Sequence, residues 1–200
     1  GKTVLVSGAG GSIGSELCRQ ILSQKPAKLI ALELNEFALY QLEQELTTFC
    51  STAGTRLIPL LGNASDTQLL QRVFQNEIID TVYHAAAYKH VPLVEANPCV
   101  GVANNVSSTW ALCSAAAAHR VSHFILISTD KAVRPTNVMG ASKRVAELIV
   151  QAHAAHFKQT VFSMVRFGNV LGSSGSVIPK FVAQIEAGGP VTVTDPEIIR

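Results

Sequence analysis

The chain is short of charge. Lys, Arg, Asp and Glu together make up 15% of its 200 residues, and the formal net charge is only +2. It contains no run of Lys and Arg, so the electrostatic footprint of a nucleic-acid surface is missing. No apolar stretch approaches the length of a bilayer span, and the first residues do not have the build of a signal peptide. Membrane contact by this segment is therefore not expected. The four cysteines, Cys18, Cys50, Cys99 and Cys113, form no CxxC pair. They read as reduced, buried thiols of a cytoplasmic protein. The six histidines are scattered. His153 and His156 are close, but no Cys or carboxylate completes a zinc pattern, so no metal is expected.

What is abundant is apolar side chain, 48% of the chain. That balance suits a compact domain with a large buried core. Short apolar runs alternate with longer helical patterns. The expected strands are 3–7, 28–33, 56–61, 81–84, 123–128 and 160–166. The expected helices are 12–23, 36–50, 66–75, 97–119 and 136–158. Such alternation implies an α/β fold, a Rossmann-like doubly wound parallel sheet with helices on both faces. The alanine tract Ser114–Ala118 suits either a helix face for a second copy of the chain or ordinary packing on the sheet. After Arg166 the pattern changes to a Gly/Ser-rich loop, a helix from about Pro179 and a strand over 190–194. Residues 1–166 are expected to form the dinucleotide-binding domain carrying the catalytic residues. Residues 167–200 are expected to begin a smaller C-terminal substrate lobe that the chain does not complete. The abrupt starts and stops of the pattern at both ends suggest cuts in a larger protein.

The first strand runs into Ser7-Gly8-Ala9-Gly10-Gly11-Ser12-Ile13-Gly14. Gly8 permits a tight turn, Gly11 lets backbone approach a pyrophosphate, and Gly14 allows close helix–strand packing. Ser12 and Ile13 open the helix whose N-terminus faces the anion. Glu33 ends the second strand, 19 residues after Gly14. A carboxylate there accepts hydrogen bonds from both adenosine ribose hydroxyls and repels a 2′-phosphate. With no Lys or Arg in the next four positions, NAD is favoured over NADP. Asn63 and Ala64 follow the third strand, where the Asn63 amide can meet adenine and Asp66 caps the next helix. Ala85 and Ala86 follow the fourth strand and are small enough for a dinucleotide to lie against them.

Longer blocks narrow the reading. They are His84-Ala85-Ala86-Ala87-Tyr88-Lys89-His90, extending to Glu95; Ser128-Thr129-Asp130-Lys131-Ala132-Val133; Asn137-Val138-Met139-Gly140-Ala141-Ser142-Lys143; and the stretch from Arg166-Phe167-Gly168-Asn169 to Pro179. Together they resemble the CapD-like polysaccharide-biosynthesis group, the UDP-N-acetylglucosamine 4,6-dehydratases of the extended short-chain dehydrogenase/reductase superfamily. The resemblance covers essentially the whole chain. It implies oxidation of a UDP-linked amino sugar at C4, loss of the C5 proton, departure of water from C6 and return of hydride to C6. The cofactor is then regenerated within each turnover.

The superfamily places a Tyr four residues before its Lys. Here Met139 stands at that position, ahead of Lys143, and a thioether cannot shuttle a proton. The resemblance includes a branch with Met at this place. It implies that Asp130 protonates the leaving C6 hydroxyl, that Lys131 removes the C5 proton, and that Thr129 hydrogen-bonds the reacting C4 oxygen. Asp130 then also serves the C4 oxidation, and Lys143 holds the nicotinamide ribose. The resemblance further places Lys89 near cofactor or substrate, matches Asn105 to a helix asparagine that supports the substrate site, and places Arg166, Asn169, Ser174, Ser176, Lys180 and Arg200 toward the nucleotide-sugar. Ser108 stands where many relatives have Gly. A homo-oligomer is expected, in the cytoplasm, with the parent protein optionally anchored in the inner membrane. Two other readings remain open. A UDP-sugar 4-epimerase shares the C4 oxidation but has no use for an acid–base pair at C5 and C6. A noncatalytic dinucleotide-binding module needs neither.

Overall fold

The computed structural model describes residues 1–170, 172 and 177–193. The chain divides into two compact units, Gly1–Gly168 and Asn169–Arg200. The boundary falls two residues beyond the expected one because the last strand continues through Phe167.

The first unit is built on a parallel six-stranded sheet in the order β3-β2-β1-β4-β5-β6. The strands are β1 (Thr3–Ser7), β2 (Lys28–Glu33), β3 (Arg56–Leu61), β4 (Thr81–His84), β5 (His123–Thr129) and β6 (Val161–Phe167). Between them lie α1 (Ser12–Ser23), α2 (Glu36–Ala53), α3 (Thr67–Asn76), α4 (Val91–Ala96), α5 (Pro98–Val102), α6 (Ser108–Ala118) and α7 (Val138–His156). The alternation of side chains along each strand splits the core in two. Leu5, Ile30, Leu32, Val82, Phe124 and Leu126 face α3, α6 and α7. Val4, Val6, Leu29 and Ala31 face α1 and α2. Within the alanine tract Ala116 is fully buried in the first of these layers, next to Leu112 and Cys113 from the preceding turn.

Local signals explain the helix ends. Asn35 Oδ1 accepts from Ala38 N at 2.9 Å, Asp66 caps Gln68 and Leu69, and Asn137 Oδ1 accepts from Gly140 N at 2.8 Å. α2 stops at Gly54, whose φ of +69° is the left-handed conformation glycine accepts without strain. The chain builds β1, β2 and β3 to one side, then returns to place β4 on the other side of β1. The C-terminal ends of β1 and β4 therefore form the topological switch point, where open α/β sheets bind ligands.

Three expectations need correction. The helix expected over 97–119 runs without interruption from Pro98 to Ala118, but it carries a π-helical turn at Ala103–Ser107 between α5 and α6, and α4 precedes it where no helix was expected. Cys99 is exposed, whereas Cys18, Cys50 and Cys113 are buried. In the second unit, α8 (Val177–Glu186) begins before Pro179. Residues 190–193 carry no regular element, and Thr194 lies outside the described residues. A run of strand-forming residues becomes a strand only when a neighbour pairs with it.

The glycine loop separates two kinds of constraint. A Cβ on Gly14 would collide with backbone, the carbonyl of Gly8, whereas one on Gly11 would meet only that oxygen at 3.4 Å, an ordinary contact. Gly14→Ala should therefore lower the unfolding free energy by about 1–3 kcal/mol. Gly11→Ala should change it by less than about 0.5 kcal/mol. Urea denaturation of the two variants checks this, and equal losses would show that Gly14 is not the packed position.

Candidate active site

A cleft of about 490 Å³ opens at the switch point, lined by the glycine loop, the end of β2, residues 62–64 and residues 85–88. Gly8, at φ +70°, presses directly on the chain after β4. A Cβ there would stand 2.5 Å from Ala86 N. Ala85 and Ala86 are thus pressed against the loop, as well as lining the cleft. Gly10, which the motif spacing did not single out, has its own reason to be glycine: a Cβ would meet Ala38 Cβ at 2.6 Å. The N-cap of α1 is Gly11, which offers no side chain to the first turn, and no acidic residue lies in that turn. An open glycine at an uncapped helix N-terminus fits a pyrophosphate.

Glu33 is held more tightly than the sequence suggests. Its Oε2 accepts from Gly10 N at 2.9 Å, and its Oε1 accepts from Leu34 N and Asn35 N, each at 2.9 Å. A carboxylate has about four acceptor sites. The Oε2 atom retains one, enough for a single ribose hydroxyl where two were expected. No Lys or Arg lines the described cleft, so a 2′-phosphate would meet a carboxylate and no cation. Asn63 Oδ1 accepts from Ser65 N and Oγ, leaving its Nδ2 to address an adenine. Ala64 is buried beside it. Dinucleotide fits the residues present.

The catalytic candidates gather at the end of β5. Asp130 and Lys131 open a 3₁₀ turn, Asp130–Ala132, capped by Thr129. Asp130 Oδ1 accepts from Lys131 Nζ and from Thr129 Oγ1, both at 3.0 Å. The Lys131 ammonium, aided by the Thr129 hydroxyl, holds the Asp130 carboxyl below its ordinary range against a small opposing effect of burial. Its other oxygen, Oδ2, lies 3.6 Å from where a Cβ on Gly168 would stand. Lys143, from α7, is buried, with Nζ donating to Ile127 O at 2.8 Å. Burial lowers its ammonium to about 8, opposed by the charge of Glu147. Met139 is buried and contributes no titratable atom.

Asn105 lies inside the protein. It is 1% exposed; its Oδ1 accepts from Tyr88 N at 2.7 Å, and its Nδ2 donates to Tyr88 O and Ser142 Oγ. Its amide is occupied within the protein, so it supports the Ala85–His90 loop instead of facing substrate. The π-helical turn sets it there, and Ser108 Oγ and Thr109 Oγ1 donate to the carbonyls of Asn104 and Asn105. Lys89 lies exposed on the loop that Asn105 holds.

Arg166 also has an internal partner. Its Nε and Nη2 donate to the two oxygens of buried Glu147 at 2.7 and 2.6 Å. Asn169 and Lys180 belong to the second unit, where Lys180 is exposed. Ser174, Ser176 and Arg200 lie outside the described residues.

Sequence reasoning missed His84 and Glu147. His84 is fully buried between Ser7 Oγ at 2.7 Å and Thr109 Oγ1 at 3.0 Å. Thr109 gives its proton to Asn105 O, so it must accept from His84 Nε2–H, and His84 Nδ1 accepts from Ser7. Burial, reinforced by the charge of Lys143, pulls the imidazole down to about 3, so it is neutral. The signal available was the strand's period of two, which puts His84, the last residue of β4, on the same buried face as Val82.

The geometry agrees with what the chain is similar to. The family described as polysaccharide biosynthesis protein matches residues 4–200. All of this chain aligns, at 49% identity, with 33% of the capsular polysaccharide biosynthesis protein CapD of Staphylococcus aureus. It aligns over its full length at 33% identity with two further proteins. One is a UDP-N-acetylglucosamine 4,6-dehydratase (inverting) of Campylobacter jejuni, of which it covers 59%. The other is a UDP-glucose 4-epimerase of Rickettsia canadensis, of which it covers 58%. The chain thus spans between a third and three-fifths of these relatives. Among solved structures, Pen from Bacillus thuringiensis superposes with a TM-score of 0.88 at 35% identity, over 97% of this chain and 60% of Pen. The dTDP-glucose 4,6-dehydratase DesIV from Streptomyces venezuelae, solved as a double mutant with NAD bound, gives 0.78 at 25%, over 94% and 63%. The chain belongs to the polysaccharide biosynthesis protein family, within the nucleotide-sugar dehydratases and epimerases built on a Rossmann-like sheet.

Proposed function

We propose that this chain is the dinucleotide-binding and catalytic core of a UDP-N-acetylglucosamine 4,6-dehydratase that uses NAD. The observation that carries the reading is the Asp130–Lys131 ion pair at the end of β5, on the strand whose Ile127 carbonyl holds buried Lys143. A neighbouring carboxyl and amine can act as acid and base on two adjacent carbons, which elimination needs and epimerisation does not. The C4-epimerase is the second reading, favoured by the name of the Rickettsia relative. Loss of one water from the sugar, read by mass spectrometry, separates the two.

Bound NAD supplies a hydride acceptor and donor. The protein's part is the handling of protons. Thr129 Oγ1, already hydrogen-bonded to Asp130, passes the C4 hydroxyl proton to that carboxylate, which takes the place of the absent Tyr. Lys131 gives up its own proton to solvent and, as a neutral amine, removes the C5 proton. Asp130 gives its proton to the C6 hydroxyl, which leaves as water. The pair is then Asp⁻/Lys⁺ again, the state the structure holds. Lys131 returns a proton to C5 and regains one from solvent, so protons balance over the cycle. Lys143 orients the nicotinamide ribose. Asn169, Ser174, Ser176, Lys180 and Arg200, with Lys89, are proposed to meet the UDP-sugar. Arg166 contributes there only through the guanidinium edge that Glu147 does not hold.

On cofactor choice, NAD should bind more tightly than NADP, because the cleft offers a 2′-phosphate only Glu33. Gly11→Ala, which spares the fold, should weaken NAD binding through its methyl in the pyrophosphate cradle. Calorimetric titration checks both, and tighter NADP binding would reverse the assignment of Glu33.

On the chemistry, Lys131→Ala in the full-length protein should block C5 proton removal while sparing oxidation, so absorbance in the NADH band should rise on adding substrate. Asp130→Asn should slow oxidation as well as elimination. Each loss should be about 10²–10⁴-fold. Met139→Tyr, placing a larger ring in a buried site, should cost about 1–3 kcal/mol of stability. Wild-type dehydration by both Lys131→Ala and Asp130→Asn would overturn the mechanism.

A further inference from the structure

α7 grips the end of β5 along one face, through positions 140, 143 and 147. Gly140 lies so close to the Lys131 carbonyl that a Cβ would collide with it. Lys143 Nζ donates to Ile127 O. Glu147, fully buried, accepts from Ser128 Oγ at 2.6 Å. The same carboxylate accepts from Arg144 Nη1 at 3.0 Å and from Arg166 of β6. Burial works against the charge, but Arg166, Ser128 and Arg144 together hold the carboxyl down to about 2. Ser128 is itself 2% exposed and immediately precedes Thr129, Asp130 and Lys131.

Stability alone does not account for this arrangement. Taking a carboxylate out of water costs several kcal/mol, and a well-packed apolar set of similar volume is often as stable or more so. Apolar contacts tolerate small slides between helix and strand. Four charge-assisted hydrogen bonds converging on one carboxylate do not, because they weaken with both distance and angle. The hub therefore defines where the strand end sits on the helix, and it does so one residue before the acid–base turn.

We propose that Glu147 is a positioning residue for the reaction. Through Ser128 and Arg166 it fixes the Thr129–Asp130–Lys131 turn relative to Lys143, and so relative to the bound sugar. The inference rests on the reading of that turn as the acid–base pair. Glu147 itself touches neither substrate nor cofactor.

The test uses the full-length protein, loaded with NAD and assayed with UDP-N-acetylglucosamine, with Lys131→Ala as the reference variant. Ser128→Ala removes only the hydroxyl that links the hub to the turn, and Glu147→Gln keeps the volume but not the charge. Both should lower kcat by about 10–100-fold with KM within about twofold, as expected when reacting groups shift while binding contacts stay. Amide exchange in the peptide covering 127–133 should speed up while the β1–β4 peptides stay unchanged. If Glu147→Gln does not fold, Ser128→Ala still decides. A folded Ser128→Ala with wild-type kcat, or with only a raised KM, overturns the proposal while Lys131→Ala is impaired. Wild-type activity in Lys131→Ala overturns the reading of the turn and this inference with it.

Discussion

Two opposite charges buried one turn apart on α7 set the conditions for the rest of the site. Lys143 and Glu147 are both almost wholly removed from water. Each would be strongly destabilising alone, since breaking a buried pair by removing one partner commonly costs about 3–5 kcal/mol. They are tolerated because they are hydrogen-bonded: Lys143 to the backbone of β5, and Glu147 to β5, to β6 and to Arg144 of its own helix. The helix is thereby bolted to the strand end that carries Thr129, Asp130 and Lys131. A charged helix face turned inward is an unusual use of an amphipathic segment, and the next element in the chain, β6, brings Arg166 to Glu147.

A second buried polar chain supports the cofactor side. Ser7, His84 and Thr109 link β1, β4 and α6, and Thr109 passes on to the carbonyl of Asn105. Asn105 in turn holds Tyr88 and Ser142. The chain runs from the residue before the glycine loop to the helix of Lys143. Asn105 lies within the π-helical turn, and the hydroxyls of Ser108 and Thr109 donate to the carbonyls of Asn104 and Asn105 four residues back. Such turns are frequent at functional sites. Ser108 is used here as a hydrogen-bond donor. The neutral imidazole adds no charge next to Lys143, which would otherwise be driven further from its ammonium form.

The cleft itself is made by small residues. Gly8 against Ala86, Gly10 against Ala38 and Gly14 against Gly8 leave backbone at the surface where side chains would fill the space. Here the loop serves two physical ends at once, close packing inward and an open face outward. Gly11 is the position where only the second applies.

Strand and helix order, the parallel sheet and the glycine loop were legible because each depends on neighbours in sequence: short continuous apolar runs, the cap at Asp66, and the spacing of Gly8, Gly11 and Gly14. The family resemblance and the candidate residues Asp130, Lys131 and Lys143 were legible in the same way, from contiguous blocks. The π-helical turn within the helix over 97–119 was not, since no local spacing specifies it and the asparagine it carries answers to a distant partner, the backbone at Tyr88. Nor was the engagement of Glu33 by three backbone N–H groups, which depends on how the glycine loop folds back onto β2. Glu147 read as one more polar helix residue. Only the tertiary structure, by bringing Ser128 and Arg166 to it from two strands each 19 residues away, decided that it would be buried and ionised. Sequence determines what each segment can form; which polar atoms lose water, and so must find one another, is decided only when the segments pack.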